Sequence, residues 1–120
     1  MLALNDGGGE KCYAKAMSKF TIADLEQRII ERAKASPDES YTRKLLDKGV
    51  SQCAKKFGEE AVEAVIAATG EDRGALVGEA ADVLYHLLVM LQARGIALAD
   101  VEELLETRTK KSGLEEKASR

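Results

Sequence analysis

The sequence predicts an all-α domain, and three features of its composition support that prediction. Ala, Leu, Glu, Lys and Arg, which favour helices, supply 64 of the 120 residues. The chain has no Trp, two Phe and three Tyr, whereas β-sheets favour aromatic and β-branched residues. It contains one proline, Pro37. A chain of this length forms one domain, and we expect a bundle of four to five helices.

Composition and charge also exclude several classes of protein. The formal net charge is −3, whereas nucleic-acid-binding proteins are usually basic. The longest nearly uncharged apolar run, residues 83–91, is shorter than the roughly 20 residues that span a bilayer. Cys12 and Cys53 form no C-x-x-C pair, which is typical of free thiols in a reducing cytoplasm. We therefore expect a cytoplasmic protein that binds neither nucleic acid nor membranes.

The first residues differ from the rest of the chain. Residues 1–18 contain a run of three glycines and show no helical periodicity. We predict a disordered extension there, followed by a helical domain over residues 19–120.

Two helices are predicted around the single proline. The first spans about residues 21–35, with Thr21 as its N-cap and acidic Asp24 three positions later, as in a capping box. Pro37 marks the loop that ends it. Ser40 then caps a short helix that ends near Gly49.

Three further helices are predicted at about residues 50–69, 75–93 and 99–110. Gly70 and Gly95 follow the first two, as expected for helix C-termini. The last helix has no good N-cap in the sequence, because Ala97 and Leu98 stand where Ser or Thr would help.

Two acids interrupt the most apolar stretch of the chain. Between residues 77 and 91 the charged residues are Glu79 and Asp82, and a helix that is apolar on all sides is usually buried. Glu79, Asp82 and His86 follow each other at helical spacing, so they share one face. A buried carboxylate normally becomes neutral, pairs with a basic residue or binds a metal. His86 is either a hydrogen-bonded core residue or a substrate contact.

The preceding helix supplies more acids. Glu60 and Glu63 lie together on one face, Glu59 lies at its border, and Lys56 precedes Glu60 by one turn. On a helical wheel the apolar arc lies elsewhere and consists of Val50, Ala54, Phe57, Ala61, Val62, Val65 and Ile66. A solvated face with a Lys56–Glu60 pair would explain this helix alone.

Together the two helices indicate a metal site. An E-x-x-E pair is separated by fifteen residues from an E-x-x-D pair on the neighbouring antiparallel helix. Four carboxylates form an all-oxygen site of the kind that Mg²⁺ or Mn²⁺ prefers. The predicted ligands are Glu60, Glu63, Glu79 and Asp82.

A site of this kind favours phosphate chemistry, because a bound divalent ion neutralises phosphate charge and activates water. Lys48, Lys55 and Lys56 precede the acids and are candidates to hold phosphates, although each alone could be a solvated surface charge. Gly58 and Gly78 each precede an acid inside a helix. They indicate either a close contact between helices or the approach of a ligand to the backbone.

At these residues the chain resembles the all-α, MazG-like nucleoside triphosphate pyrophosphohydrolases, and among them the phosphoribosyl-ATP pyrophosphatase branch. The resemblance covers about residues 20–120. It is carried by four stretches, which are Ser-Tyr-Thr-x-Lys-Leu-Leu at 40–46, Lys-Phe-Gly-Glu-Glu-Ala-x-Glu at 56–63, Glu-Ala-Ala-Asp-x-Leu-Tyr-His-Leu-Leu at 79–88, and Ser-Gly-Leu-Glu-Glu-Lys at 112–117 followed by Arg120.

The resemblance implies Mg²⁺-dependent hydrolysis of 1-(5-phosphoribosyl)-ATP to 1-(5-phosphoribosyl)-AMP and diphosphate, the second step of histidine biosynthesis. It also implies a cytoplasmic homodimer whose subunits complete one helical core. In this interpretation Glu59 either completes a second metal site or acts as the general base on the attacking water. Lys117 and Arg120 would contact the phosphoribosyl end of the substrate, in the same chain or across the dimer.

Two other functions remain open at this point. A MazG-like housecleaning enzyme would hydrolyse ordinary or damaged nucleoside triphosphates, although the similarity of the C-terminal stretch argues against that branch. A non-catalytic helical dimerisation module would instead pair the acids with Lys or Arg across its interface. The number of metal ions and the geometry of the dimer are not fixed by the sequence.

Overall fold

The computed structural model describes residues 19–110 and contains five α-helices and no strand in that range. The helices are α1 (Ile22–Arg32), α2 (Tyr41–Asp47), α3 (Val50–Ala68), α4 (Arg73–Ala93) and α5 (Leu98–Thr109). The all-α prediction is confirmed. The predicted extension at 1–18, and the tail that includes Lys117 and Arg120, lie outside the described residues.

The N-caps predicted for the first two helices are present. Thr21 and Asp24 form both hydrogen bonds of a capping box, at 3.0 and 3.1 Å. The Ser40 hydroxyl accepts from the Arg43 amide at 3.0 Å and donates to the Arg32 carbonyl at 2.9 Å. Ser40 therefore starts α2 and also ties it to the last residue of α1.

The first helix is shorter than predicted. It ends at Arg32, and residues 33–35 form a turn instead of continuing the helix. The Arg43 guanidinium donates to the carbonyls of Ala33 and Ala35, at 3.2 and 3.3 Å. These bonds satisfy carbonyl groups that a continuing helix would have used, and they hold the α1–α2 loop against α2.

Two helix starts depend on contacts that the sequence analysis missed. Asp72 caps α4 by accepting from the Ala75 amide at 3.1 Å, so the helix begins two residues before the predicted start. α5 has no side-chain cap of its own. Its Leu98 amide instead donates to the Glu26 carboxylate of α1 at 2.8 Å. This contact joins residues 72 positions apart in the chain.

α3 and α4 pack along each other more extensively than any other pair of described helices. α1 and α2 cover one end of this pair, where the fully buried residues lie. The core consists of Ile29, Leu45, Cys53, Leu88 and Val89. We refer to this part of the α3–α4 pair as the core end, and to the part that carries Glu60, Glu79 and Asp82 as the acid end.

The apolar arc of α3 is not buried within the chain. Val62, Val65 and Ile66 are 59%, 65% and 64% exposed. On α4, Leu76 and Leu84 are also exposed, and the buried residues of this helix are His86, Leu88 and Val89. The prediction that α4 is buried all round is therefore wrong. Apolar periodicity identifies a face that avoids water, but it does not tell whether the same chain or another chain covers that face.

Within residues 19–110, α4 is the helix long and apolar enough to cross a membrane by length and composition. Core helices of soluble proteins pass the same test, so this is weak evidence for a membrane span. The expectation of a protein without a membrane partner stays a prediction.

Candidate active site

Three of the predicted metal ligands lie together at the acid end. Glu60 on α3 and Glu79 and Asp82 on α4 each place a carboxylate oxygen within 4.8 Å of the other two. The i, i+3 spacing puts Glu79 and Asp82 on one face of α4, and the packing of α3 brings Glu60 opposite them. Glu60 is 8% exposed, Glu79 is half-buried and Asp82 is exposed. The group therefore opens to solvent on the side of Asp82.

The fourth predicted ligand, Glu63, lies at the edge of this group. Its side chain is exposed and is close enough to Glu79 for a side-chain hydrogen bond. It is not among the three carboxylates that converge within 4.8 Å. Glu63 thus borders the site from the turn of α3 that follows Glu60.

Glu79 is the most constrained of the acids. Burial raises the pKa of its carboxyl, and the neighbouring charges of Glu63, Asp82 and Glu60 raise that pKa further. Its Oε1 is buried and has no hydrogen-bond partner among residues 19–110. An unpartnered carboxylate oxygen facing other carboxylates is an unfavourable arrangement that a bound cation would relieve. An all-carboxylate donor set fits a hard divalent cation such as Mg²⁺ or Mn²⁺.

Lys56 forms the expected ion pair on α3, although not on a solvated face. Its Nζ lies 3.3 Å from Glu60 Oε2 and 3.8 Å from Glu59 Oε1. The hydrogen bond to Glu60 is the main reason that the pKa of Lys56 is raised. Because Glu60 is buried, the pair is part of the site, and the Lys56 charge offsets only part of the negative charge there. Glu59 remains about half-exposed and outside the converging group.

No described contact joins the other candidate phosphate-binding residues to the acids. Lys48 and Lys55 are exposed, and neither forms an ion pair within the described range. Lys117 and Arg120 lie outside the described residues. Their proposed contacts with substrate therefore stay predictions.

His86 is buried, as its core interpretation predicts, but it lacks the expected hydrogen bond. It is 6% exposed, and its Nδ1 has no hydrogen-bond partner in the part of the chain that is described. Its ring contacts Tyr85 and Tyr41 edge-to-face, with centroids 4.9 and 6.3 Å apart. Burial lowers the pKa of His86, against the raising effect of Glu60. His86 therefore packs among aromatic rings and is not one of the three groups that converge within 4.8 Å.

The sequence analysis gave no role to the aromatic residues beside the site. The Thr42 hydroxyl hydrogen-bonds to the Tyr85 hydroxyl, which joins α2 to α4. Burial raises the pKa of Tyr85, whereas this hydrogen bond lowers it. Tyr41 stacks on Tyr85 with ring centroids 6.5 Å apart and is 53% exposed. The sequence signals for this arrangement are the Ser-Tyr-Thr stretch at 40–42 and the Tyr-His pair at 85–86.

Gly58 and Gly78 do not mark a close contact within residues 19–110. A Cβ atom added at Gly58 or at Gly78 would meet no atom within 4 Å. The interpretation of these glycines as a close contact between α3 and α4 is therefore wrong, because both positions face open space. The approach of a ligand to the backbone stays a prediction.

Comparison with known proteins gives one consistent family. Residues 22–109 match the phosphoribosyl-ATP pyrophosphohydrolase family. The chain is 64% identical over 104 residues to phosphoribosyl-ATP pyrophosphatase 1 of Bradyrhizobium diazoefficiens, covering 87% of this chain and 98% of the relative. It is 59% identical over 104 residues to the protein of the same name from Rhodopseudomonas palustris, covering 87% and 97%. It is 58% identical over 104 residues to phosphoribosyl-ATP pyrophosphatase of Agrobacterium fabrum, also covering 87% and 97%.

Proposed function

Because this chain belongs to the phosphoribosyl-ATP pyrophosphohydrolase family, we propose that it hydrolyses 1-(5-phosphoribosyl)-ATP to 1-(5-phosphoribosyl)-AMP and diphosphate, the second step of histidine biosynthesis. The observation that carries this proposal is the convergence of Glu60, Glu79 and Asp82 within 4.8 Å. A triphosphate is a highly charged substrate, and a cluster of acids can bind it only through cations. The family and the acid cluster thus support the same reaction.

The proposed metal ligands are Glu60, Glu79 and Asp82, with Glu63 as a fourth ligand from the edge of the site. When bound, Mg²⁺ supplies charge neutralisation for the phosphates and lowers the pKa of water. The buried, unpartnered Oε1 of Glu79 supports this assignment. The four carboxylates would hold one ion, and Glu59 could bind a second ion beside them. The number of ions is therefore to be tested.

Two further residues of α3, Lys56 and Glu59, have proposed roles in the reaction. Lys56 holds the Glu60 carboxylate by an ion pair, which fixes the orientation of Glu60 toward the metal position. Glu59 is about half-exposed, so it can either accept a proton from the attacking water or bind a second ion. Pyrophosphate leaves on the open side of the cluster, where the Asp82 side chain reaches solvent.

Exposed cations of α2 and α3 would hold the phosphate groups. Lys48 and Lys55 are solvated in the chain and free to turn toward a bound triphosphate. His86 is too buried to be the first contact for a phosphate, and we assign it a supporting role behind Glu60. Lys117 and Arg120 are proposed to contact the phosphoribosyl end of the substrate.

The direct test is release of pyrophosphate from 1-(5-phosphoribosyl)-ATP, measured with Mg²⁺ and with a chelator, beside ATP and a panel of deoxynucleoside triphosphates. We expect turnover of phosphoribosyl-ATP that is lost in chelator and is restored by Mg²⁺ or Mn²⁺. Preference for the plain nucleotides would instead assign a housecleaning activity. The absence of release from every substrate would leave a helical module without catalysis.

The metal ligands are tested by two conservative variants. Asp82→Asn and Glu63→Gln remove one negative charge each and keep the shape of the side chain. We expect at least about a 100-fold loss of kcat for Asp82→Asn and a smaller loss for the peripheral Glu63→Gln, because an amide is a poor ligand for a hard cation. Glu71→Gln, an exposed acid in the α3–α4 connection, is the matched control. Full activity and unchanged Mg²⁺ dependence in both ligand variants would contradict the site assignment.

We also propose that the protein is a cytoplasmic homodimer. The support is the apolar surface formed by Val62, Val65 and Ile66 on α3 and Leu76 and Leu84 on α4, all exposed in the single chain. Exposed apolar side chains in this number normally mark an interface, and Gly58 lies on the same side of α3 with open space above it. Two copies that pair through α3 and α4 would cover it.

Sedimentation velocity tests the homodimer. We expect the wild type to sediment as a dimer and Ile66→Asp to dissociate, because the new charge would be buried at the interface. Ala23→Asp, on an exposed position of α1, serves as the control and should leave the dimer intact. A wild-type monomer at micromolar concentration, or an Ile66→Asp variant that stays dimeric, would contradict this proposal.

A further inference from the structure

The proposed reaction gives no role to Tyr41, a half-exposed aromatic residue beside the acids. Its ring is 53% exposed and packs edge-to-face on His86, with centroids 6.3 Å apart, and His86 follows Asp82 by one turn of α4. One residue therefore separates Tyr41 from the carboxylates that would hold the phosphates. A side chain this large and apolar, exposed at the rim of a charged site, is available to the part of the substrate that is not phosphate.

The position of Tyr41 is fixed although its ring is exposed. It is the first residue of α2, between the cap Ser40 and the buried Thr42. Thr42 hydrogen-bonds to Tyr85, and the Tyr41 ring packs on Tyr85 and His86. The backbone and one side of the ring are thus held by α1, α2 and α4. A ring ordered in this way loses little conformational entropy when a ligand stacks on it.

The substrate has a base with unusual charge. In 1-(5-phosphoribosyl)-ATP the adenine is alkylated at N1, and such a base is protonated and cationic near neutral pH, whereas the adenine of ATP is neutral. Aromatic faces attract cations as well as stacking on bases. We infer that Tyr41 is the surface on which the adenine of the substrate stacks, and that it selects the cationic, N1-alkylated base over the neutral adenine of ATP. This inference rests on the proposed function and adds a residue that determines specificity.

Binding of two unreactive monophosphates tests the inference without turnover. The probes are 1-methyl-AMP, whose base is cationic, and AMP, whose base is neutral, each titrated calorimetrically in the presence of Mg²⁺. We expect the wild type to bind 1-methyl-AMP about tenfold more tightly than AMP. This ratio should fall to near one in Tyr41→Ala and Tyr41→Leu and persist in Tyr41→Phe, which keeps the aromatic face.

The matched control is Phe20→Ala, since Phe20 is equally exposed and already carries the Arg28 guanidinium at 4.8 Å from its ring centroid. The ratio should be unchanged in that variant. Tyr41→Leu keeps the bulk that covers Tyr85, so it remains informative if Tyr41→Ala does not fold. Equal wild-type affinities, no binding of either nucleotide, or a preference that survives both Tyr41→Ala and Tyr41→Leu would overturn the inference. A failure of the proposed function would appear separately, as absent pyrophosphate release by the wild type.

Discussion

The two ends of the α3–α4 pair differ in what lies between the helices. At the core end, Cys53 faces Leu88 and Val89, and α1 and α2 seal the contact. At the acid end, Glu60 faces Glu79 and Asp82, while apolar side chains such as Val65 point away from the pair. One end therefore has an apolar interior, whereas the other has a charged interior and an apolar exterior.

This difference shows that the single chain leaves the carboxylates and the apolar residues of the acid end without the contacts that they need. Carboxylates placed against each other need a cation, and exposed apolar residues need a second surface. The core end needs neither, because its buried apolar residues pack on each other and on partly buried apolar residues such as Leu46 and Met90. Stability is thus concentrated at one end, and ligand and partner binding are expected at the other.

Leucine substitutions on α4 give the largest expected difference between the two ends. Leu88, 4% exposed, lies in the core, and Leu88→Ala should lower the free energy of unfolding by about 3 kcal/mol at any protein concentration. Leu84 lies one turn away and is 40% exposed. Leu84→Ala should lower the free energy of unfolding of the single chain by less than about 1 kcal/mol. Urea denaturation at several protein concentrations measures both.

Any larger effect of Leu84→Ala should grow as the protein is made more concentrated, because it would reflect lost association. Equal and concentration-independent losses for the two leucines would remove the distinction between the ends.

The sequence predicted the starts of α1 and α2 well, because their signals are local. Thr21 and Ser40 cap helices through residues three positions away, and such pairs are visible in a single stretch of sequence. The convergence of Glu60 with Glu79 was likewise predictable from helical spacing and a short connection. In contrast, the cap of α5 comes from Glu26, which no local pattern connects to Leu98.

Which face of α3 packs against α4 was also hard to predict. Helical periodicity places Val65 and Ile66 on one face and Glu60 on another, but it does not say which face meets α4. The usual rule, apolar inward, fails at the acid end. Glu60 is 8% exposed and lies within 4.8 Å of the acids of α4, so the chain turns this polar residue toward α4 there instead.

The long-range cap of α5 gives an effect of intermediate size. Glu26→Ala removes the acceptor of the Leu98 amide and should lower the free energy of unfolding by about 1 kcal/mol, with faster hydrogen exchange in the first turn of α5. Glu26→Gln keeps an acceptor and should lose less. Glu31→Ala, exposed on the same helix, should leave α5 exchange unchanged. Uniform exchange across these variants would show that α5 is held by other contacts.

The smallest expected effect is a pH dependence that belongs to the acid end alone. Burial and the neighbouring acids raise the pKa of Glu79 above its ordinary value of 4.5, so the folded chain binds this proton more tightly than the unfolded chain does. The stability that follows is fully present below the ordinary pKa and is lost as pH rises through the raised pKa of the folded state. Without metal, the wild type should therefore lose stability with rising pH relative to Glu79→Gln, which stays neutral.

Urea denaturation of the two proteins in chelator, over a pH range from about 4 to 7, measures this difference. Glu102→Gln, an exposed acid on α5, should show no such trend. Saturating Mg²⁺ should reverse the order and make the wild type the more stable protein, because the ion binds the ionised carboxylate of the folded state only. If neither pH nor Mg²⁺ changed the difference in stability between the wild type and Glu79→Gln, the carboxylates of the acid end would not be arranged for a cation. The contrast between the two ends would then be lost.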